Sequence, residues 1–310
     1  MEVGSQKTED RRWKIEDRRW KKSDFIIHYL FKISWLLILE SCILYLGSKI
    51  KSRRMKIVFI GAGNVATHLS VAMKNVGFEI LQIYSRTKDS AKILGELLNV
   101  PYCFNIADVN KNGDLYIYSV KDSVLEDIIS KINIPHATHL HTAGSVSINI
   151  FEKYTENYGV LYPLQTFSKN KEINIAEIPF FIEANNKKSE LKIEKIVEKL
   201  SAKSYYLSSE KRILMHLAAV FACNFSNYMY YLASEITTEA DIDFKTLLPL
   251  IKETADKLNY LSPKEAQTGP AIRKDEITIN KHKKLLENKT DLLEIYSTLS
   301  KFIESTHTNR

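Results

Sequence analysis

The stretch Gly61-Ala62-Gly63-Asn64-Val65-Ala66 has the residue types and spacing of a turn that binds a diphosphate. It follows the apolar run 56–60, which is typical of a buried strand, and precedes a helical pattern. Gly61 permits a tight turn, Gly63 lets the backbone approach a pyrophosphate, and Ala66 lets the helix pack closely on the strand. The free N–H groups of the helix then face the phosphates. The alternative is a glycine-rich turn that joins the strand to the helix for steric reasons alone.

The predicted second strand, 79–84, is followed by Ser85, Arg86 and Thr87. An acidic side chain at this place would bind the ribose 2′-hydroxyl of NAD, and none is present. A guanidinium with two hydroxyls instead favours the 2′-phosphate of NADP through charge-assisted hydrogen bonds. The sequence therefore predicts NADP(H) as the cofactor, with a solvated loop arginine as the alternative.

Two more predicted strands end in residues that suit a ligand site. The third apolar strand ends at Val120, and a later strand ends at His141, before the small-residue turn Thr142-Ala143-Gly144. Ligands of doubly wound sheets bind at the carboxyl ends of the strands. We therefore expect Val120 and the turn to contact the cofactor.

The order of the elements predicts an α/β fold. Strands and helices alternate from residue 55 to 208, which indicates a Rossmann-like, doubly wound, mainly parallel sheet. From residue 209 to 310 the apolar period changes to that of a helix, which predicts an all-helical second domain. Its first helix is apolar around most of its girth and is expected to be central and buried; the apolar residues are Leu214, Leu217, Ala218, Phe221, Ala222, Phe225, Met229 and Leu232.

Three polar residues interrupt that apolar helix. On an ideal wheel of about 100° per residue, Asn227 lies about 20° and Asn224 about 80° from His216, so the three share one face. Buried polar groups need partners. A ligand in the cleft between the domains would supply them, and hydrogen bonds between helices would serve equally.

A second set of polar residues, Arg273 and Asp275, follows Gly269 and Pro270. Arg273 could clamp a substrate carboxylate, with Asp275 holding the guanidinium or capping the next helix. A structural ion pair that closes the loop is the alternative.

The net charge of +7 is concentrated near the N-terminus. Residues 1–54 hold 13 Lys and Arg against 7 Asp and Glu, whereas residues 55–310 hold 31 against 30. The predicted domains are nearly neutral, so they lack the basic surface of a nucleic-acid-binding protein.

Residues 1–54 differ from the rest in kind. They contain a repeated charged hexapeptide and the apolar stretch 25–46, which His28, Lys32 and Glu40 interrupt. Such a stretch is a poor membrane span. We interpret the segment as an extension upstream of a true start at Met55 in a cytoplasmic protein. The alternative is a tail that tethers a cytosolic domain to the membrane.

Residues 55–310 resemble bacterial oxidoreductases that join a Rossmann-like domain to a helical domain of unknown function, number 2520. These are distant relatives of pyrroline-5-carboxylate reductase and of deazaflavin-dependent NADP reductases. The motifs that carry the resemblance are GAGNVA, Ser85-Arg86-Thr87, HTAGS at 141–145, YPLQTFS at 162–168, HLAAVFACN at 216–224 and GPAIRKD at 269–275. The resemblance implies a homodimer formed through the helical domain, and it places Thr142-Ala143-Gly144 beside the nicotinamide.

The resulting hypothesis is an NADP(H)-dependent oxidoreductase that reduces a carbonyl or imine of a small molecule. His216 or His141 would donate the proton, Asn224 would orient the substrate, and Arg273 with Asp275 would bind an anion. Two alternatives remain: a non-catalytic NADP(H) sensor, and a metal site in which His139 and His141 join His216.

Overall fold

The computed structural model describes residues 54–308 with the exception of residue 170. The apolar stretch 25–46 and nearly all of the predicted N-terminal extension lie outside these residues. Within the described ranges, no helix combines the length and the apolar character needed to cross a membrane.

One eight-stranded sheet has the strand order β3-β2-β1-β4-β5-β6-β7-β8. The strands are β1 (Lys56–Ile60), β2 (Glu79–Tyr84), β3 (Tyr102–Cys103), β4 (Leu115–Tyr118), β5 (Thr138–His141), β6 (Asn157–Pro163), β7 (Phe180–Ala184) and β8 (Ser204–Tyr206). Every neighbouring pair is parallel except β6 with β7. The predicted α/β class with a mainly parallel sheet is confirmed.

Helices cover both faces of this sheet because successive residues of its central strand point to opposite sides. Ile57 and Phe59 of β1 belong to one core with apolar residues of α1, α2 and α4, whereas Val58 and Ile60 belong to a second core with residues of α3. All four strand residues are fully buried, which stabilises the fold by about 1.5–3 kcal/mol for each large side chain. The helices are α1 (Asn64–Asn75), α2 (Lys88–Leu98), α3 (Asp122–Lys131) and α4 (Lys187–Lys199).

The C-terminal region is helical, as predicted, but the described residues do not bury its first helix. The elements are α5 (Ser209–Ala219), a π-helix (Val220–Phe225), α6 (Ser226–Glu239), α7 (Leu248–Asp256), α8 (Glu276–Leu285) and α9 (Thr290–Thr308). Leu214 is 65% exposed and Phe221 63%. In the described part beyond Arg212, Ala271 alone is buried. Among the residues that the structure describes, the prediction of a buried central helix is wrong, because the C-terminal helices do not enclose a core of their own.

Candidate functional site

The carboxyl ends of β1, β2, β4 and β5 meet at one edge of the sheet. The register pairs at this edge are Ile60 with Tyr84, Ile60 with Tyr118, and Tyr118 with His141. The first residues beyond these strands, which include Gly61, Ser85 and Thr142, are therefore neighbours. The edge is where a doubly wound sheet binds its ligand.

Gly61 has a steric reason to be glycine. Its φ of +124° lies in a region that side chains disfavour, and a Cβ there would come within 2.8 Å of the Ser119 carbonyl carbon. The Gly61 N–H donates to the Tyr84 carbonyl oxygen at 2.7 Å, which ties the turn to β2. The close approach of Ser119, the residue that follows β4, therefore fixes the path of the turn.

The start of α1 is open to an anion. A Cβ on Gly63 would meet no atom within 4 Å, and no side chain caps the helix that Gly63 begins. Ala66 is fully buried against the sheet, as its predicted packing role requires. The Asn64 amide donates to the Phe167 carbonyl oxygen at 2.7 Å, so it joins the helix to the loop after β6. Val65 follows in the first turn of α1. The free N–H groups fit a diphosphate.

A cleft of about 570 Å³ continues from the glycine turn to the end of β2. Arg86 is exposed in it, and among the described residues its side chain makes no hydrogen bond or ion pair. Thr87 begins α2 without capping it, and its hydroxyl lies 3.4 Å from the Ser85 hydroxyl. These groups fit a dinucleotide with an extra phosphate. The other lining residues include Gly61, Ala62, Gly63, Val120 and three that the sequence analysis missed, Ser119, Lys121 and Ser123.

Hydrogen bonds hold the turn after β5 against the same edge. The Thr142 N–H donates to the Tyr118 carbonyl oxygen at 3.1 Å, and its hydroxyl donates to the Ser119 hydroxyl at 3.1 Å. The Ala143 N–H donates to His141 Nδ1 at 3.2 Å. The small-residue turn is therefore fixed in place before any ligand binds.

Gly144 brings the turn into contact with the helical region. A Cβ at this position would lie 2.7 Å from His216 Nδ1 and 2.9 Å from Cζ of Tyr162. Any larger residue would push these two rings away. The Tyr162 hydroxyl and His216 Nδ1 are 3.1 Å apart, which is hydrogen-bond distance. The structure thus places an ionisable ring of α5 at the edge that carries the glycine turn.

Arg212, one helical turn before His216, holds α5 against the sheet. Its side chain is 1% exposed, forms an ion pair with Glu183 of β7 and donates to the Val146 carbonyl oxygen. The Ser209 hydroxyl donates to the same Glu183 carboxylate at 2.9 Å. These contacts join the end of the turn, β7 and α5. They fix where His216 lies relative to Gly144.

Comparisons with known proteins identify the family. Residues 178–303 match the domain of unknown function DUF2520, and residues 45–165 match the Rossmann-like domain. A provisionally named NADP oxidoreductase of Bacteroides fragilis is 44% identical, over 81% of this chain and 98% of that one, with a TM-score of 0.77. The chain belongs to the Rossmann-like DUF2520 family. The resemblance inferred from the sequence motifs is confirmed.

More distant solved structures share the fold. A Thermotoga maritima protein is 24% identical over 81% of this chain and 98% of its own, with a TM-score of 0.61. An imine reductase of Myxococcus stipitatus, in complex with NADP+, is 14% identical over 81% and 93%, also with a TM-score of 0.61. No curated protein sequence matches the chain.

The two other histidines that the sequence analysis singled out are buried in this family member. His139 Nε2 donates to the Ile134 carbonyl oxygen at 2.9 Å, and its Nδ1 accepts from the Tyr118 hydroxyl at 2.9 Å. Because both ring nitrogens are occupied, His139 offers none to a metal. Burial lowers the pKa of His139 to about 4, and burial together with the Arg212 charge lowers the pKa of His141 to about 3.

The π-helix changes the predicted arrangement of the polar helix residues. A π-turn adds one residue to a helical turn and so rotates everything beyond it by about 100°. The angles predicted for Asn224 and Asn227 relative to His216 are therefore wrong, because they assumed an uninterrupted α-helix. Both asparagines are exposed in the single chain. Asn224 lies within the π-helix, and π-turns often occur at functional sites.

Arg273 and Asp275 do not form an ion pair. Asp275 caps α8, because its carboxylate accepts from the Thr278 N–H at 3.1 Å and the Thr278 hydroxyl at 2.7 Å. These hydrogen bonds lower the pKa of Asp275. The exposed Arg273 makes no side-chain hydrogen bond or ion pair with any residue the structure describes. Of the two roles predicted for Asp275, helix capping is the one that these contacts support.

Sequence analysis quoted Tyr162 only as part of the YPLQTFS motif, without a role, and missed Arg212 and Glu183. Tyr162 had a signal, since a polar aromatic residue near the carboxyl end of a strand parallel to β5 belongs at the ligand edge. Arg212 and Glu183 are 29 residues apart and meet only because α5 folds back over β7. Their pairing had no local signal.

Proposed function

We propose that this chain is an NADP(H)-dependent oxidoreductase that reduces a carbonyl or imine carbon of a small molecule. The observation that carries the proposal is the contact of Gly144 with His216 at the cofactor edge. It sets an ionisable group beside the turn that the family resemblance assigns to the nicotinamide. The 44% identical relative, provisionally named as an NADP oxidoreductase, supports the same function.

The cofactor would be held by three groups of residues. The Gly61–Ala66 turn and the N-terminus of α1 receive the pyrophosphate, and Ser85, Arg86 and Thr87 receive the 2′-phosphate. Val120 and Thr142-Ala143-Gly144 lie along the remainder of the edge. NADPH, when bound, supplies the hydride that reduces the substrate.

His216 is the proposed proton donor. Reduction of a C=O or C=N bond needs one proton at the oxygen or nitrogen. His141 is fully buried with a pKa of about 3, so it is neutral at physiological pH and has no access to a substrate. His216 is half-buried and lies against Gly144. Asn224 remains the proposed group that orients the substrate, and Arg273 the proposed anion clamp.

His282 provides a matched control for a test of this role. Its Nδ1 lies 2.9 Å from the Tyr296 hydroxyl, so the helical region holds a second histidine–tyrosine pair outside the proposed site. With NADPH and a panel of carbonyls and imines, we expect turnover of at least one compound. His216→Gln should lower it by about 10²–10⁴-fold and His282→Gln should not.

Two results would contradict this proposal in different ways. Tight NADPH binding without turnover of any compound would favour the non-catalytic sensor. Unchanged turnover in His216→Gln would remove the proton-donor role and leave the oxidoreductase in place.

The helical region, with its boundary proposed at residues 208 and 209, is the proposed dimer interface. Its exposed apolar residues need a partner, since contiguous apolar patches mark interaction surfaces. They include Leu214 at 65% exposure, Phe221 at 63% and Phe302 at 63%. A second copy of the chain would cover them, as the family resemblance implies.

A further inference from the structure

Two histidine–tyrosine pairs in this chain have nearly the same geometry. Tyr162 and His216 have ring centroids 6.0 Å apart at 75°, and Tyr296 and His282 have centroids 5.6 Å apart at 79°. Their hydroxyl-to-Nδ1 distances are 3.1 Å and 2.9 Å. Gly144 lies against the first pair. One pair therefore borders the cofactor edge, and the other serves as a reference.

The side chain of Tyr162 contacts Phe181 through its ring and His216 through its hydroxyl. It stacks on Phe181 of β7, with centroids 6.2 Å apart at 29°, and only 9% of the residue is exposed. Burial raises the pKa of Tyr162, so the phenol stays neutral. A buried tyrosine hydroxyl needs a hydrogen-bond partner, and in the part of the chain that the structure describes the partner is His216 Nδ1.

We propose that Tyr162 is a positioning residue, which holds His216 by Nδ1 and leaves Nε2 to deliver the proton. The proposal rests on the proposed function and adds to it the means by which the donor is oriented. Gly144 is part of the same device, since a side chain there would occupy the space of the His216 ring.

The proton balance follows from this arrangement. In the charged ring, Nδ1–H donates to the Tyr162 oxygen and Nε2–H faces the substrate. A hydride from NADPH adds to the substrate carbon, the π electron pair moves to oxygen or nitrogen, and that atom takes the Nε2 proton. The neutral ring keeps its Nδ1 proton on Tyr162, and Nε2 regains a proton from water. A phenol both donates and accepts, so the contact survives each protonation state.

Nuclear magnetic resonance of the full chain with ¹⁵N-labelled histidine tests the contact without a substrate. His216→Gln assigns the ring signals. In Tyr162→Phe the ring loses its hydrogen-bond partner at Nδ1. We expect the ¹⁵N signal of His216 Nδ1 to move, because the chemical shift of a ring nitrogen depends on its hydrogen bond. In Tyr296→Phe the signals of His282 should move and those of His216 should stay.

Turnover measurements separate positioning from a merely structural role. Loss of one hydrogen bond to a charged group corresponds to about ten- to hundredfold in rate, so Tyr162→Phe should lower kcat by that factor with KM unchanged. Tyr296→Phe should leave kcat unchanged. An unaltered Nδ1 signal of His216 or an unaltered kcat in Tyr162→Phe would overturn the proposal. Absence of NADPH binding by the unmodified chain would instead contradict the proposed function, and the ring signals would still report on the contact with Tyr162.

Discussion

The sheet region and the C-terminal helices bury their apolar residues to very different extents. Ile57, Phe59 and Ile117 of the sheet are fully buried, whereas Phe221, Phe225 and Phe302 of the helical region are 49–63% exposed. Yet the helical side chains are as apolar as the strand side chains. The difference teaches that the first region completes its core with the described residues, while the second leaves an apolar surface that the described residues do not cover. The proposed site lies where the two regions meet.

The largest effect should come from a substitution within the self-contained region. Gly61→Val adds a side chain at positive φ and into the Ser119 carbonyl. Strain and overpacking together should cost roughly 4 kcal/mol of unfolding free energy and abolish cofactor binding. Gly63→Ala is the matched control, because its Cβ meets only open space. It should keep the stability and weaken NADPH binding about tenfold. Equal stability of both variants in urea unfolding would contradict this view of the turn.

The contact between α5 and β7, made by Arg212 and Glu183, should be the next most sensitive to substitution. Arg212→Met removes the partner of the Glu183 carboxylate, and breaking a buried ion pair costs about 3–5 kcal/mol. Lys187→Met, which breaks an exposed ion pair with Glu190, should leave the urea midpoint unchanged. If both variants unfold at the urea midpoint of the unmodified chain, Arg212 does not stabilise the contact between α5 and β7.

The oligomeric state in solution should test the proposed dimer interface of the helical region. Phe221→Asp places a charge in the proposed dimer interface and should weaken the dimer about a hundredfold, which corresponds to about 2.7 kcal/mol. Ile93→Asp on α2 is the control, because both residues are 63% exposed. Sedimentation of the unmodified chain and the Ile93 variant should show a dimer. A monomer in all three samples would contradict the proposed dimer.

Acid should weaken the sheet region through its buried histidines. The folded pKa values of His139 and His141, about 4 and about 3, lie below the ordinary value of 6.5. As the pH falls below 6.5, these two histidines therefore bind protons in the unfolded chain but not in the folded chain. The free energy of unfolding that is present above pH 6.5 is lost as the pH falls. At pH 5 the loss is about 2 kcal/mol for each ring. His139→Gln should halve it. Unfolding free energies that are equal at pH 7.5 and pH 5 would contradict this burial.

The sequence predicted the features that short segments determine. The glycine turn, the parallel sheet and the end of β2 follow from local patterns of apolar residues and glycines. Burial of the helix from residue 209 was predicted wrongly for the described part of the chain, because an apolar girth does not say which residues will cover it. The angles on the helical wheel around His216 were wrong because the wheel assumed an uninterrupted α-helix. No pattern in the sequence marks the residue that the π-helix adds.

The geometry of the site needed the folded chain. Tyr162 and His216 are 54 residues apart, and Glu183 and Arg212 are 29 apart. Such contacts depend on how α5 crosses β6 and β7 rather than on the properties of either segment. The motifs indicated which segments matter, and the fold decided which side chains meet.

The central claim is that the edge formed by β1, β2, β4 and β5 holds NADP(H), with Arg86 binding the extra phosphate. Calorimetric titration of the full chain with NADPH and NADH tests it most directly, alongside Arg86→Ala and the control Lys92→Ala on α2. The account predicts NADPH binding at least about tenfold tighter than NADH, a preference lost in Arg86→Ala and kept in Lys92→Ala. No heat with either nucleotide, or a preference that survives Arg86→Ala, would contradict it.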